Sequence, residues 1–140
     1  NKVVIYVKIL TYINQNVNIV SVEKRNGGIF AKEEYSLIIE YGDKYKNGLK
    51  RIRNKHKEKD TLELIVNHIK LCNDFQCLCT HPVSLMYGFE PLKYELNGYY
   101  SFNLNKSSGV VRLIVSTDKN ETLRLEFVSV NHYDDFKNKL

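Results

Sequence analysis

Three clusters of turn-forming residues near the end of the chain constrain its fold more than any other feature. They are Asn97-Gly98, residues 105–109 (NKSSG) and residues 118–121 (DKNE). They separate runs rich in Val, Ile, Leu, Tyr and Phe at 99–104, 110–116 and 123–130, with a shorter run at 92–95 ahead of them. Gly and Asn tolerate the positive φ that tight connections need, and clusters at this spacing close hairpins. The end of the chain therefore reads as an antiparallel meander, which must bury one face against another layer.

The preceding residues supply that layer. Residues 34–41 (EYSLIIEY) predict a strand from their β-branched and aromatic content, with Gly42-Asp43 as break and helix cap. A first helix is expected to run to about residue 57, with Tyr45, Leu49, Ile52 and His56 on its apolar side and Gly48 weakening it. Asp60-Thr61 can cap a second, whose stripe is Leu62, Ile65, Val66, Ile69 and Leu71 or Cys72. Residues 75–91 are expected to be a loop. Strand, helix pair, then meander predicts an α+β domain, a helical hairpin packed on one face of a small antiparallel sheet. Residues 3–22 are rich in Val, Ile and Tyr and suggest one or two strands closed by Asn26-Gly27-Gly28. Residues 1–33 are read as an N-terminal extension ahead of a domain over 34–140.

A chain of 140 residues can bury a core without disulfides or metal. Its charge is unevenly spread. The segment 43–59 carries eight Lys/Arg against two Asp/Glu, a local charge of +6 on a chain whose total is +5. A stripe containing Lys50, Arg51 and Arg53 suits a polyanion, because each neutralised phosphate releases condensed counterions. It equally suits a solvated helix face. The apolar stretch from Val3 to Ile13 is interrupted by Lys8 and falls short of the ~20 residues a membrane span needs, so no membrane partner is expected. Nor does it have the basic lead-in and small-residue cleavage site of a secretory signal. Cys72, Cys77 and Cys79, odd in number and without an export signal, point to reduced thiols and a cytoplasmic location. With His68 and His81 they form H-x3-C-x4-C-x-C-x-H, which invites zinc but lacks a C-x2-C knuckle. Buried or loop thiols are the expectation, and no metal or other cofactor.

The stretch from Glu90 to Ser101 (EPLKYELNGYYS), then Val111-Arg112-Leu113-Ile114-Val115, then His132-Tyr133, resembles the RelE/ParE toxin superfamily. Within it the likeness is to the YoeB-type mRNA interferases, which carry E-P-L-K-x-x-L-x-G-aromatic-aromatic-S, a strand with R-L-[IV], and a late H-Y pair. It spans roughly residues 34–133. The resemblance implies a small bacterial toxin of a type II toxin–antitoxin system, held inactive by a cognate antitoxin, that enters the ribosomal A site beside rRNA and cuts mRNA. It implies Glu90, Arg112, His132 and Tyr133 as the catalytic set, with Lys93 near the phosphate. The residue types suit RNA cleavage by its own 2′-hydroxyl, which needs a base, a cation on the phosphate and an acid for the leaving oxygen. Arg meets two phosphate oxygens with planar donors, and a tyrosine can stack on a splayed base.

The chain departs from that pattern in places. Phe102 and Asn103 stand where YoeB-type sequences tend to have two arginines, which removes charge from the expected RNA groove. The loop before Arg112 is longer, and its Lys106 is a candidate replacement. Asp134 and Asp135, if beside His132, would favour its protonated form. Taken singly, Glu90 reads as a surface carboxylate, Arg112 as an edge residue reaching water, and His132-Tyr133 as a packed end of sheet. Two other functions stay open: a ParE-like protein that binds and inhibits DNA gyrase, and a decayed toxin that only binds its antitoxin as co-repressor.

Overall fold

The computed structural model describes residues 36–118 and 121–140, together with the backbone of the strands between Val3 and Tyr35. Among the described residues the strands form two sheets. In the first, β3 (Val17–Arg25) pairs along one edge with β4 (Gly28–Tyr35), and along the other with β1 (Val3–Ile5) and β2 (Leu10–Thr11), all antiparallel. Arg25 opposite Gly28 brackets the expected turn, whose Asn26 and Gly27 lie outside the described residues.

The second sheet has the order β5-β9-β8-β7-β6, built from β5 (Ile38–Tyr41), β6 (Glu90–Pro91), β7 (Tyr99–Asn103), β8 (Arg112–Ser116) and β9 (Thr122–Ser129). The β7–β8–β9 meander falls between the turn clusters that predicted it, although Lys119 and Asn120 of the last cluster lie outside the described residues. The sheet is nevertheless mixed rather than wholly antiparallel, because β5 runs parallel to β9. Parallel neighbours need a long crossover, and the helices together with the rest of the meander provide it. The strand expected over 34–41 is divided. Glu34 and Tyr35 end β4, whereas the Leu37 amide donates to the Cys72 carbonyl at 2.8 Å and carries the Leu37 side chain into the core. Nor is 92–95 a strand. Pairing is confined to Glu90–Pro91, and Tyr94 has φ of +57° and opens a 3-10 turn (Tyr94–Leu96) that leaves the ladder.

The helices are more numerous than expected, and their bounds differ. The first, α1 (Asp43–Gly48), passes into a 3-10 turn (Leu49–Ile52) instead of continuing to 57. Gly48 lies so close to β9 that a Cβ there would stand 3.4 Å from the Val128 amide nitrogen. α2 (His56–Leu71) begins ahead of Asp60-Thr61, and the Thr61 hydroxyl donates to the Lys57 carbonyl inside the helix rather than capping it. Its Leu62, Ile65, Ile69 and the following Cys72 are buried, while Leu71 is exposed. The stretch expected as loop holds α3 (Phe75–Thr80), capped by the Asp74 carboxylate on the Cys77 amide, and α4 (Pro82–Met86), with proline in its first turn. Each is too short to show helical periodicity, so only the cap residues marked them.

The sheet carries a core on both faces. On the helix face, Ile65 and Ile69 of α2, Leu37 and Leu78 meet Phe102, Leu113, Val115, Leu123 and Leu125. On the other face lies a smaller cluster of Leu92, Leu96, Ile114, Phe127 and Phe136, the last from α5 (Asp134–Lys137). A bulge decides who belongs to the second cluster. Ile114 pairs with Phe127 but Val115 pairs with Leu125, so one extra residue in β9 shifts the alternation. Phe127 therefore turns away from the helices that Leu123 and Leu125 face.

Candidate active site

The rows of β-pairing put the expected site residues on the face with the smaller core. Glu90 lies opposite Ser101, and Ser101 opposite Ile114, while Arg112 stands between Asn103 and Ser129. Into this corner comes the turn after β9. There the His132 amide donates to the Val110 carbonyl at 2.8 Å, and His132 takes a left-handed φ of +54°. A non-glycine residue held in that region signals a turn fixed by its surroundings. The turn is fixed from its other side by the Asp135 carboxylate, which accepts from the Val130 amide at 3.1 Å and lies 3.5 Å from Arg51.

Three of the four expected catalytic side chains are directly linked. The Tyr133 hydroxyl donates to Glu90 Oε1 at 3.1 Å and lies 3.1 Å from the Ser101 hydroxyl. Arg112 Nη1 is 3.6 Å from the same Glu90 oxygen, and its guanidinium carbon is 5.5 Å from the centre of the Tyr133 ring. His132 joins through ring contact, its centroid 3.9 Å from that of Tyr133 at a 60° tilt. Exposure divides the group by role. Arg112 and Tyr133 are largely covered, whereas half of the Glu90 side chain and the His132 ring face solvent. Burial pushes the Tyr133 phenol up, against smaller downward effects of Ser101 and Arg112, so it stays protonated and donates at neutral pH.

Arg112 is aimed by its own loop. Its Nε donates to the Gly109 carbonyl at 2.8 Å, and Gly109 has φ of +65°. A Cβ at Gly109 would stand 3.6 Å from Arg112 Nη2. The longer 105–109 loop is tied down elsewhere by Asn105, whose side-chain amide donates to Glu58 at 2.7 Å.

The remaining expected residues are dispersed. Lys93 is exposed and lines an open groove of about 260 Å³ that also borders Glu90 and Tyr133. Lys106 sits over the Tyr87 ring at 5.4 Å, in a different groove shared with Lys57 and Thr61 of α2. Lys50 and Arg53 are exposed on the 3-10 turn and just after it. Arg51 stacks over Phe127 at 4.7 Å and braces the His132 turn through Asp135. Asp135 is thereby committed to Val130 and Arg51, not to His132. The loss of charge expected at Phe102 also needs correction. Phe102 is fully buried on the helix face, 4.4 Å from the Phe89 ring, so only Asn103 faces the side of Arg112.

Ser101 and Gly109 are the positioning residues that reasoning from residue types missed. Ser101 was visible only as the last letter of the aromatic-aromatic-serine motif, and Gly109 only as a turn residue. The cysteine and histidine group has structural work to do. His68 is buried and bonded to Ser84 at 2.8 Å, His81 Nδ1 accepts from the Val83 amide at the start of α4, and burial pushes the Cys72 thiol up to about 12. Among the described residues no group of His, Cys, Asp or Glu is arranged to hold a metal ion, and no helix is long and apolar enough to cross a membrane.

The crystal structure of the E. coli DinJ-YafQ toxin-antitoxin complex matches with a TM-score of 0.50 at 22% identity, over 69% of this chain and 93% of that one. The fold is that of YafQ. A second crystal structure of the E. coli DinJ-YafQ complex gives a TM-score of 0.50 at 21% identity, covering 69% and 94% of the two chains. YafQ from E. coli strain BL21(DE3) matches at 0.49 and 20%, covering 67% and 92%. No protein-family model and no curated protein sequence matches. The likeness to YafQ is thus one of three-dimensional arrangement, and it establishes the shared α+β fold.

Proposed function

We propose that this chain is the toxin of a type II toxin–antitoxin pair and cleaves mRNA on the ribosome. The observation that carries the reading is the junction at Glu90 Oε1, where Tyr133 and Arg112 converge with His132 against the Tyr133 ring. The fold supports it, since the YafQ it resembles is described in a toxin-antitoxin complex with DinJ; a cognate antitoxin is proposed here on that analogy. The closer kinship to YoeB-type toxins rests on the E-P-L-K, R-L-I and H-Y motifs alone.

The residues match the steps of cleavage by the RNA itself. Glu90 takes the proton of a ribose 2′-hydroxyl, and the freed oxygen attacks the adjacent phosphorus. Arg112 holds the non-bridging oxygens as charge builds on them, the task a metal performs in other nucleases, so the reaction is proposed to be metal-independent. The bond from phosphorus to the 5′-oxygen breaks, and His132 supplies the proton that oxygen takes up. The products are a 2′,3′-cyclic phosphate and a 5′-hydroxyl end. Tyr133, bonded to both Ser101 and Glu90, positions the base. Exposed Lys50 and Arg53 are proposed to dock on rRNA, with Lys106 as an outlying phosphate contact.

The decayed-toxin reading loses part of its motive, because Phe102 is a core residue and not a vacated phosphate contact. The test is primer extension on programmed ribosomes with antitoxin-free protein. A-site cleavage is expected, with His132→Ala slower by about 10²-fold or more, as for loss of a general acid. Absence of cleavage by the wild type, or undiminished cleavage by both His132→Ala and Arg112→Ala, overturns the proposal. Gyrase poisoning with mRNA left intact would install the ParE-like alternative.

A further inference from the structure

The groove beside Glu90 and Tyr133 has a wall that the cleavage steps leave unused. It is open at the surface and bordered by Lys93, Tyr94, Leu96 and Lys137 in addition to that pair. Tyr94 is 88% exposed, the most exposed large apolar or aromatic side chain among the described residues. A bulky aromatic left in water has given up the burial that usually holds it in a fold. Its backbone is unusual too, since φ is +57°, a region that costs a non-glycine residue of the order of 1–2 kcal/mol.

The turn that presents Tyr94 is nevertheless firmly seated. Leu92 and Leu96 on either side of it are buried in the smaller core. The Leu96 amide donates to the Lys93 carbonyl at 3.1 Å, and the Asn97 amide to the Tyr94 carbonyl at 3.0 Å. Across the groove, Lys137 and Glu95 form an ion pair at 2.9 Å, which ties α5 to the same turn. An exposed ring on an anchored turn, next to an exposed lysine and within one groove of the reacting carboxylate, is the arrangement that holds an unpaired nucleotide. The lysine meets its phosphate and the ring stacks on its base.

We propose that this groove is a subsite for one unstacked nucleobase of the mRNA beside the scissile phosphate, with Tyr94 as its stacking platform. The inference rests on the ribonuclease reading and adds to it a contact that selects for an intact base, whatever its identity, because every base has a face to stack on. The phenol hydroxyl takes no part, so the ring alone carries the effect.

The test measures kcat/KM for cleavage on ribosomes programmed with mRNAs in which each A-site-codon nucleotide, and the nucleotide on either side of that codon, is made abasic in turn. Tyr94→Ala is expected to lower kcat/KM by about tenfold, and Tyr94→Phe to keep the wild-type value. At one position the abasic mRNA should slow the wild type to the level of Tyr94→Ala while leaving Tyr94→Ala itself unchanged. If Tyr94→Ala cleaves intact mRNA like the wild type, or if no position couples to it, the subsite is refuted while the ribonuclease reading stands. If the wild type cuts nothing, or if His132→Ala and Arg112→Ala both cut as fast as the wild type, the ribonuclease reading fails and the subsite with it.

Discussion

The two faces of the five-stranded sheet are built from alternate residues of the same strands, yet they serve different ends. One is covered by α2 and its neighbours and is apolar from Leu37 to Phe102 and Leu125, with the buried His68–Ser84 pair among the helices above it. Among the described residues the other is covered by the four-residue α5, the Tyr94–Leu96 turn and Arg51 over Phe127, which seal a small patch around Ile114, Phe127 and Phe136. Beyond that patch the half-exposed Glu90 meets the largely covered Arg112 and Tyr133 over the buried Ser101. Incomplete cover is what leaves room for a substrate. A charge at a given position therefore has opposite consequences according to which face its parity selects.

The strongest way to break this comparison is to place an arginine on each face in turn. Phe102→Arg would bury an unpaired charge and remove a ring packed on Phe89, so a loss of several kcal/mol is expected, enough to abolish cooperative folding. Asn103→Arg, one residue on and on the other face, should stay within about 1 kcal/mol of wild type. Urea denaturation of the pair checks both, and equal effects would refute the two-faced reading.

Next in size is the effect of Arg112→Ala on cleavage. A fall of about 10²–10³-fold in kcat is expected, as for loss of a fixed transition-state donor. Because the opposite face carries most of the core, the urea midpoint should shift little, and a variant that unfolds at once would show Arg112 to be structural instead.

Gly109→Ala sharpens the role of the loop. The positive φ at Gly109 disfavours any side chain, and the loop that strain would shift carries the carbonyl holding Arg112 Nε. A stability loss of about 1 kcal/mol with about tenfold slower cleavage is expected. Calorimetry alongside the cleavage assay separates the two, and unchanged kinetics would remove Gly109 from the positioning of Arg112.

The smallest effect belongs to the helix face. Burial, and secondarily His81, holds the His68 imidazole below its ordinary value. The unfolded chain then binds the extra proton first as pH falls, so this group's stabilisation is complete above about pH 6.5 and is lost on acidification through and below it. Urea midpoints at pH 7 and pH 5 should differ more for the wild type than for His68→Gln, by at most about 1.4 kcal/mol per pH unit. An identical pH dependence would mean that His68 does not titrate as its burial implies.

How far the sequence could be read varied with the range of the interaction. The β7–β8–β9 meander was legible because Asn-Gly and its relatives act locally through φ. The buried positions of α2 were legible because period 3.6 is a local property of a long helix. α3 and α4 were not, since one or two turns carry no measurable period and only Asp74 and Pro82 announced them. The end of α1 at Gly48 was not, because the apolar spacing runs on through the 3-10 turn that follows it. At the candidate site the motif named Glu90, Arg112, His132 and Tyr133, but it did not show that Ser101 and Gly109 hold two of them in place.

By itself, the sequence determined that strands, a helical layer and a meander would follow in that order. It also placed the net positive charge in one segment, because composition, turn chemistry and periodicity all act within a few residues. Only the tertiary structure decided that β5 joins the sheet parallel to β9 and that Phe102 is core while Asn103 faces Arg112. It likewise decided that Tyr94 stands in water in the same groove as Glu90. These outcomes depend on pairing and parity between segments far apart in the chain, where a single bulge or crossover reverses which side of the sheet a residue faces.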